Sequence, residues 1–183
     1  MRYGLSKITL ADRELTIRSL EMEDAESTIR FMKRVYSESE YLTMYPEEFS
    51  FTAEEEAEFI RRISISDDEV LLGAFESLEL VGTCRIGRIS TSSKLKHRGE
   101  ISISIINDFQ GIGLGTFLIN EVLAYASKMG ISQVELNVAS ENDRAIRLYD
   151  KLGFVKVGEI PNGLRFRDGR FMGFCLMVLS LDC

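Results

Sequence analysis

Tryptophan is absent from this sequence, and proline, histidine and cysteine are scarce: two, one and three in 183 residues. Two isolated prolines, Pro46 and Pro161, leave no proline-rich linker, and no glycine- or serine-rich segment or internal repeat supplies one either. One histidine and three cysteines (Cys84, Cys175, Cys183) without ligand spacing exclude a zinc module of the Cys/His type, so no metal is expected. So few cysteines fit free thiols in a reducing, cytoplasmic compartment. No apolar run approaches 18 residues, and Met1–Leu10 lacks a basic-then-apolar pattern, so neither a membrane span nor a secretory leader is expected. Basic excess is also missing. With 22 Lys and Arg against 29 Asp and Glu the formal net charge is −7, which argues against a nucleic-acid partner.

What is present is ordinary for a globular chain: 45% hydrophobic and 28% charged residues. The length suits one domain over residues 1–183. The acid is unevenly placed. From Glu38 to Glu58 there are eight acids (Glu38, Glu40, Glu47, Glu48, Glu54, Glu55, Glu56, Glu58) and no base, and of the 29 acids that leaves 21 against the 22 bases elsewhere. The molecule is a near-neutral body carrying one acidic segment.

Leu15–Arg18 reads as a strand, paired with Lys7–Leu10 across a turn at Asp12–Arg13. Asp24–Ser37 places Ile29, Met32, Val35 and Tyr36 at helical spacing. Thr52 followed by Glu55 forms a capping box that opens a second helix, expected to bury Ala57, Phe59, Ile60 and Ile63. Val70–Phe75, Leu80–Ile89 and Glu100–Ile106 then predict an antiparallel meander. Leu114, Leu118, Val122, Tyr125 and Met129 mark one face of a helix stopped at Gly130. Val134–Val138 alternates as a strand, Asn142–Leu152 is a short helix ended by Gly153, and Phe154–Glu159 returns as a strand. Asp168–Gly169 predicts a hairpin into a final strand, Phe171–Leu179, whose apolar residues Phe171, Met172, Phe174, Leu176 and Val178 could pair with a second copy as a homodimer. The expected fold class is α+β.

Gln110-Gly-Ile-Gly-Leu-Gly-Thr116 lies directly between a strand and a helix. Helix N-termini offer unpaired N–H groups and partial positive charge, and glycines let the main chain approach an anion, so the segment suits a phosphate or pyrophosphate. A P-loop would need Gly-Lys-Ser/Thr, and no lysine is here; a dinucleotide fingerprint would need a third glycine where Thr116 stands.

Read as Gln-x-x-Gly-x-Gly, this segment resembles the acyl-CoA pyrophosphate loop of the GNAT superfamily of N-acetyltransferases. Asn142-Asp-Arg-Ala-Ile-Arg-Leu-Tyr149-Asp-Lys-Leu-Gly-Phe154 resembles the family's second signature, in the same order and again after a strand. The likeness runs from Leu15 to Leu181, and the C-terminal Asp-Gly hairpin looks most like the branch that acetylates ribosomal protein N-termini and related amines. The resemblance implies a GNAT-like fold with a mixed, mostly antiparallel central sheet and helices on both faces. It implies acetyl-CoA as acyl donor and direct transfer to a primary amine, on a small cationic molecule or a peptide N-terminus. A non-catalytic acyl-CoA sensor or interaction module is the alternative, and longer acyl groups are a third reading.

The resemblance also distributes roles. Pantetheine would run along the edge of Ile101–Ile106, with backbone N–H groups near Ser104, Ile105 and Ile106 meeting the thioester carbonyl. Gln110, Gly111, Ile112, Gly113, Leu114, Gly115 and Thr116 would hold the pyrophosphate. Asn137, Asn142 and Ala145 would border the pantetheine arm, although Asn142 equally suits a helix N-cap. Tyr149 would protonate the leaving thiolate, and a phenol pKa of about 10 keeps its proton at neutral pH. Glu100 would be the general base, but it stands about 13 Å along the strand from Ser104. His97, among Lys94, Lys96 and Arg98, has the composition of an exposed turn. The acidic segment would wall the acceptor side and attract a cationic amine. Arg165, Arg167 and Arg170 on the last hairpin would either receive an acceptor carboxylate or offset nearby acid.

Overall fold

The computed structural model of the chain describes residues 2–181, so Cys183 lies outside the described residues. The elements are β1 (Ser6–Leu10), β2 (Arg13–Ser19), α1 (Ala25–Glu38), α2 (Ala53–Ser64), β3 (Glu69–Glu76), β4 (Glu79–Arg88) and β5 (Arg98–Ile105). Then come α3 (Leu114–Lys128), β6 (Gln133–Ala139), α4 (Asp143–Lys151), β7 (Val155–Arg165) and β8 (Phe171–Ser180). One eight-stranded sheet runs in the order β1-β2-β3-β4-β5-β6-β8-β7. Every neighbouring pair is antiparallel except β5 and β6.

Local chemistry accounts for most element boundaries. The β1–β2 turn uses Ala11 (φ 48°) and Asp12 (φ 64°), one position earlier than the Asp12–Arg13 expected, because both central residues of a tight hairpin turn take positive φ. Glu55 N–H donates to Thr52 Oγ1 at 3.2 Å and Thr52 N–H donates to Glu55 Oε2 at 2.9 Å, the capping box that starts α2. On α2 the buried stripe is Glu56, Ile60 and Ile63. Phe59, expected inside, is 38% exposed: it lies at the margin of that stripe, three residues from Glu56, and the Arg62 guanidinium covers its ring at 5.3 Å.

β3 and β4 are buried on both faces. Helices α1 and α2 pack on each other and on these strands, which α3 also contacts. Leu114, Leu118 and Val122 of α3 are fully buried at four-residue intervals, and Gly130 (φ 73°) ends the helix. The final strand β8 is internal, bonded to β6 on one side and β7 on the other. Both of its edges are therefore used, and the expectation that it pairs with a second copy is corrected: the outer strand is β7. No helix among the described residues is long and apolar enough to cross a membrane.

The feature that positions the site is a shortfall in pairing. β5 and β6 match only at Arg98–Gln133, Gly99–Val134 and Glu100–Glu135. Beyond Glu100, β5 remains bonded to β4 and β6 to β8, and the two strands part. This leaves an open wedge in the middle of the sheet.

Candidate active site

The wedge exposes one edge of β5. Ile106 N–H donates to Val81 O at 3.2 Å, and Ile89 N–H donates to Arg98 O at 3.2 Å. In an antiparallel ladder the bonding direction alternates, so Glu100, Ser102 and Ser104 direct their backbone groups to β4. Ile101, Ile103 and Ile105 direct theirs to the wedge. Of the residues expected to present N–H groups there, only Ile105 does so. The Ser104 N–H belongs to the β4 ladder while the residue lines the cavity, and Ile106 is turned to Val81 with its side chain buried. Ile103, not singled out in the sequence, shares the role of Ile105. Its signal was the alternation of the strand, which needs the register to be read.

At the end of β5, Gln110 locks the approach to α3: its Nε2 donates to Ile105 O at 2.8 Å, and its Oε1 accepts from Arg144 Nη1 at 2.6 Å. Gly111 (φ 81°) and Gly113 (φ 95°) occupy left-handed backbone, the latter as N-cap of α3. A Cβ on Gly111 would also come within 2.9 Å of Arg144 Nη2. The first intrahelical bond is Phe117 N–H to Gly113 O. The N–H groups of Leu114, Gly115 and Thr116 thus begin the helix without intrahelical acceptors. Ile112 is partly buried against the core.

These elements enclose a cavity of about 490 Å³. Its lining includes Ser104, Ile105, Gly113 and Thr116 on one wall and Asn137, Asn142 and Tyr149 on the other, with Val35, Ser39 and Leu42 from the end of α1 and its following loop. Among the described residues no Asp or Glu lines it. Arg144, Arg147 and Lys151 of α4 do, at helical spacing, and this basic row was legible in the sequence but not singled out. Asn142 Oδ1 accepts from Ala145 N–H at 3.1 Å, so Asn142 caps α4 while also lining the cavity, and Ala145 forms part of the wall.

Tyr149 is 7% exposed and stacks edge-on against Phe154 at 5.6 Å. Burial, reinforced by the neighbouring Cys84, pushes its phenol above the ordinary tyrosine range, and burial pushes the Cys84 thiol up as well. Glu100 and His97 lie elsewhere. Glu100 is exposed in the paired part of β5, outside the lining of either cavity, and His97 is exposed in the turn before β5, with its carbonyl accepting from Ser132 and Gln133 N–H.

A second cavity of about 530 Å³ meets the first at Ser39 and Leu42. One wall is the end of α1 and the loop to Pro46; the other is Leu164–Phe166 at the end of β7. The β7–β8 hairpin is fastened across it. Arg167 N–H donates to Tyr45 Oη at 2.9 Å, its guanidinium lies 3.9 Å from the Tyr45 ring centroid, and it pairs with Glu47. Arg170 pairs with Glu40 at 2.7 Å. Of the eight acids only Glu38 and Glu40 line this cavity. Glu48 caps Tyr45 N–H, Glu58 pairs with Arg61, and Glu56 is buried in α2. The acidic segment is therefore largely neutralised or directed elsewhere, and Arg167 and Arg170 offset its charge.

The donor set fits coenzyme A: a glycine-lined helix N-terminus for a pyrophosphate, an unpaired strand edge for an amide-bearing arm, and a lining that, among the described residues, holds bases and no acids. A sheet wedged open over such a helix terminus defines an acyl-CoA-dependent transferase fold. The chain belongs to the acetyltransferase (GNAT) family, whose sequence profile matches residues 29–154. Acetyltransferases of this family use acetyl-CoA as donor. The chain is 27% identical over 161 residues to the spermidine N(1)-acetyltransferase of Vibrio cholerae, covering 86% of this chain and 88% of that one. It is 29% identical over 104 residues to the L-amino acid N-acyltransferase of Escherichia coli, covering 56% and 59%. Among solved structures, an acetyltransferase of the GNAT family from Streptococcus pneumoniae superposes with a TM-score of 0.86 at 29% identity, covering 91% and 99%. The matched part spans 36% and 59% of the length of two curated relatives.

Proposed function

We propose that the chain moves an acetyl group from acetyl-CoA directly to the primary amine of a small molecule or a peptide N-terminus, and that residues 1–183 form one N-acetyltransferase domain. The observation that carries this reading is the wedge between β5 and β6, with the Gly111–Thr116 cradle at its mouth and Tyr149 in its lining. Spermidine and L-amino acids, named for two relatives, are both primary amines.

Acetyl-CoA supplies an activated thioester carbonyl. The N–H groups of Leu114, Gly115 and Thr116 would hold the pyrophosphate, with Gln110 and Gly111 fixing the loop. Ile103 and Ile105 present their N–H groups to the wedge, where they would donate to the thioester carbonyl and stabilise negative charge on its oxygen. As the C–N bond forms and the C–S bond breaks, Tyr149 would give its proton to the leaving sulfur and regain one from the amine nitrogen, so that neutral amide and CoA thiol result. A phenol raised by burial keeps that proton through neutral pH, and the same dry surroundings make a departing thiolate more basic. The amine enters from the second cavity between Ser39 and Leu42. Asn137, Asn142 and Ala145 wall the arm side.

The test is CoA-thiol release with acetyl-CoA and a panel of primary amines, alongside calorimetric titration of acetyl-CoA. Binding with amine-dependent release is expected. Binding with no release for any amine would leave the non-catalytic sensor, and no binding at high micromolar acetyl-CoA would sink both.

A further inference from the structure

Each lip of the wedge carries a polar side chain on the same face of the sheet. Ile105 Cδ1 and Ile103 Cδ1 stand 3.6 and 3.9 Å from a Cβ placed on Gly115 of α3, so alternation along β5 sends Ser104 to the opposite face. Asn137 reaches that face from β6, where it and Glu135 alternate with the buried Val134, Leu136 and Val138. Glu135 pairs with Arg98, which lies an even number of residues along β5 from Ser104, so the two faces are one. Strand β8 carries the correspondence further. Leu176 is opposite Asn137, and Met172, on the same face of β8, is opposite Leu164 in the wall of the second cavity. Ser104 and Asn137 thus stand on the side proposed for the acceptor.

Both residues line the first cavity, and among the described residues neither side chain has a hydrogen-bond partner. Several other polar side chains of that lining are engaged. Gln110 bridges Ile105 and Arg144, Asn142 caps α4, and Ser39 Oγ accepts from Tyr41 N–H at 3.3 Å. The carboxylates of β5 and β6 on this face, Glu100 and Glu135, lie in the closed part of the sheet, and Arg98 holds Glu135. The open part therefore offers two neutral acceptors. A carboxylate there would favour an ammonium ion, whose nitrogen has no lone pair to attack with. A carboxamide oxygen and a hydroxyl accept N–H bonds without a negative charge that would favour protonation of the amine.

We infer that Asn137 and Ser104 hold the two N–H bonds of the acceptor amine and aim its lone pair at the thioester carbon, which makes the site selective for primary amines. The inference rests on the acetyl-transfer reading above and names the residues that enforce it. As the C–N bond forms and the C–S bond breaks, one N–H is kept in the amide and the other surrenders the proton that restores Tyr149. The Asn137 carboxamide, which takes up no proton, suits the N–H that is kept. The Ser104 hydroxyl, acceptor and donor at once, suits the one surrendered. A secondary amine has a single N–H and leaves one of the two groups without its bond, a loss that polar sites discriminate against strongly. Asn137 borders the arm by its place in the wedge, while its side-chain face gives it to the acceptor.

The experiment compares kcat/KM for the best primary amine of the panel with that for its N-methyl derivative. The native chain should prefer the primary amine at least tenfold. Asn137→Leu nearly keeps the volume and removes both polar amide atoms, so relief of crowding cannot imitate its effect. It should bring the ratio to within about threefold of unity by lowering primary-amine turnover, with acetyl-CoA affinity changed less than twofold. Ser104→Ala should lower the ratio in the same way, and Ser104→Thr should keep it. Melting temperatures check that the variants fold, and Ser104→Ala carries the test should Asn137→Leu not fold. Equal use of the secondary amine by the native chain overturns the inference, as does an unchanged ratio in either variant. Weaker acetyl-CoA binding with unchanged amine constants in Asn137→Leu overturns it too, and gives that side chain to the pantetheine arm. Acetyl-CoA binding with no transfer to any amine in the panel overturns the transfer reading itself, and this one with it.

Discussion

Tyr149 has a packing role in the structure and a chemical one in the proposed reaction. Its ring fills core space against Phe154, yet the residue also lines the cofactor cavity, and its environment holds the phenolic proton more firmly than water would. Replacement by phenylalanine keeps nearly all of the packing and removes the proton. Tyr149→Phe is therefore expected to lower kcat at least tenfold while changing acetyl-CoA affinity less than twofold, measured by thiol release and calorimetry. Had the tyrosine only a packing role, kcat would survive. Glu100 is the reverse case. It stands at the correct end of β5 by sequence, but the three register pairs with β6 close the sheet there, and it lines neither cavity. Glu100→Gln should change kcat by less than about twofold between pH 6 and 9. A loss of tenfold or more would show that it acts on the amine through intervening water.

Helix α3 has a structural body, and its start is the proposed pyrophosphate site. Its buried Leu114–Leu118–Val122 stripe was readable from spacing, and the glycines before it were readable as an anion cradle. Gly113 sits at φ 95°, where an L-side chain adds roughly 1–2 kcal/mol of strain. Gly113→Ala should weaken acetyl-CoA binding at least tenfold by titration, since relief of that strain rotates the first-turn N–H groups away from the cradle. Helix α2 holds a different tension. Glu56 lies in its buried stripe without an ion pair or side-chain hydrogen bond among the described residues, and burial raises its carboxyl above the usual range. A raised carboxyl favours the folded state when protonated and loses that advantage as pH rises through the folded pKa. Glu56→Gln is thus expected to raise the melting temperature at pH 7 by a few degrees and to have little effect at pH 4. An equal gain at both pH values would show that charge is not the cause.

Across the whole molecule, the second cavity, proposed for the acceptor, is bounded by two distant segments that are clamped together. The loop after α1 and the β7–β8 hairpin meet through the exposed pairs Glu40–Arg170 and Glu47–Arg167 and through the contacts of the partly buried Tyr45. Exposed ion pairs are weakened when the Debye length shrinks from about 10 Å to a few ångströms. Raising ionic strength from about 0.1 to 1 M should therefore increase KM for the acceptor several-fold more than KM for acetyl-CoA. Parallel increases in the two constants would show that the clamp does not shape the cavity. A second electrostatic tie sits away from both cavities. Burial pushes the Asp24 carboxyl up, but two hydrogen bonds from Arg18 and one from Glu21 N–H outweigh it and hold the group below the usual range. Such a group stabilises the fold above its unfolded pKa of about 4, and this contribution is lost as pH falls through the folded value. Asp24→Asn should lower stability at pH 7 and shrink that difference in strong acid, as urea titration would show.

The elements and the glycine-rich loop proposed to hold the cofactor are legible in the amino-acid sequence, because both rest on local physics. Helical spacing, the Thr52–Glu55 box and glycines at positive φ act over a few residues, and so does the Gln110–Thr116 cradle. Tertiary structure alone decided what happens between elements. That Ile103 and Ile105 turn their backbone N–H groups to the wedge while Ser104 and Ile106 turn theirs to β4 follows from the β4–β5 register, which no local pattern encodes. That β8 is internal follows from strand order. The acidic segment, the strongest compositional signal in the chain, was the most altered by folding. Arg34, Arg167 and Arg170 come from beyond or before it in sequence and neutralise its cavity-lining and rim acids, because charges pair by proximity in space.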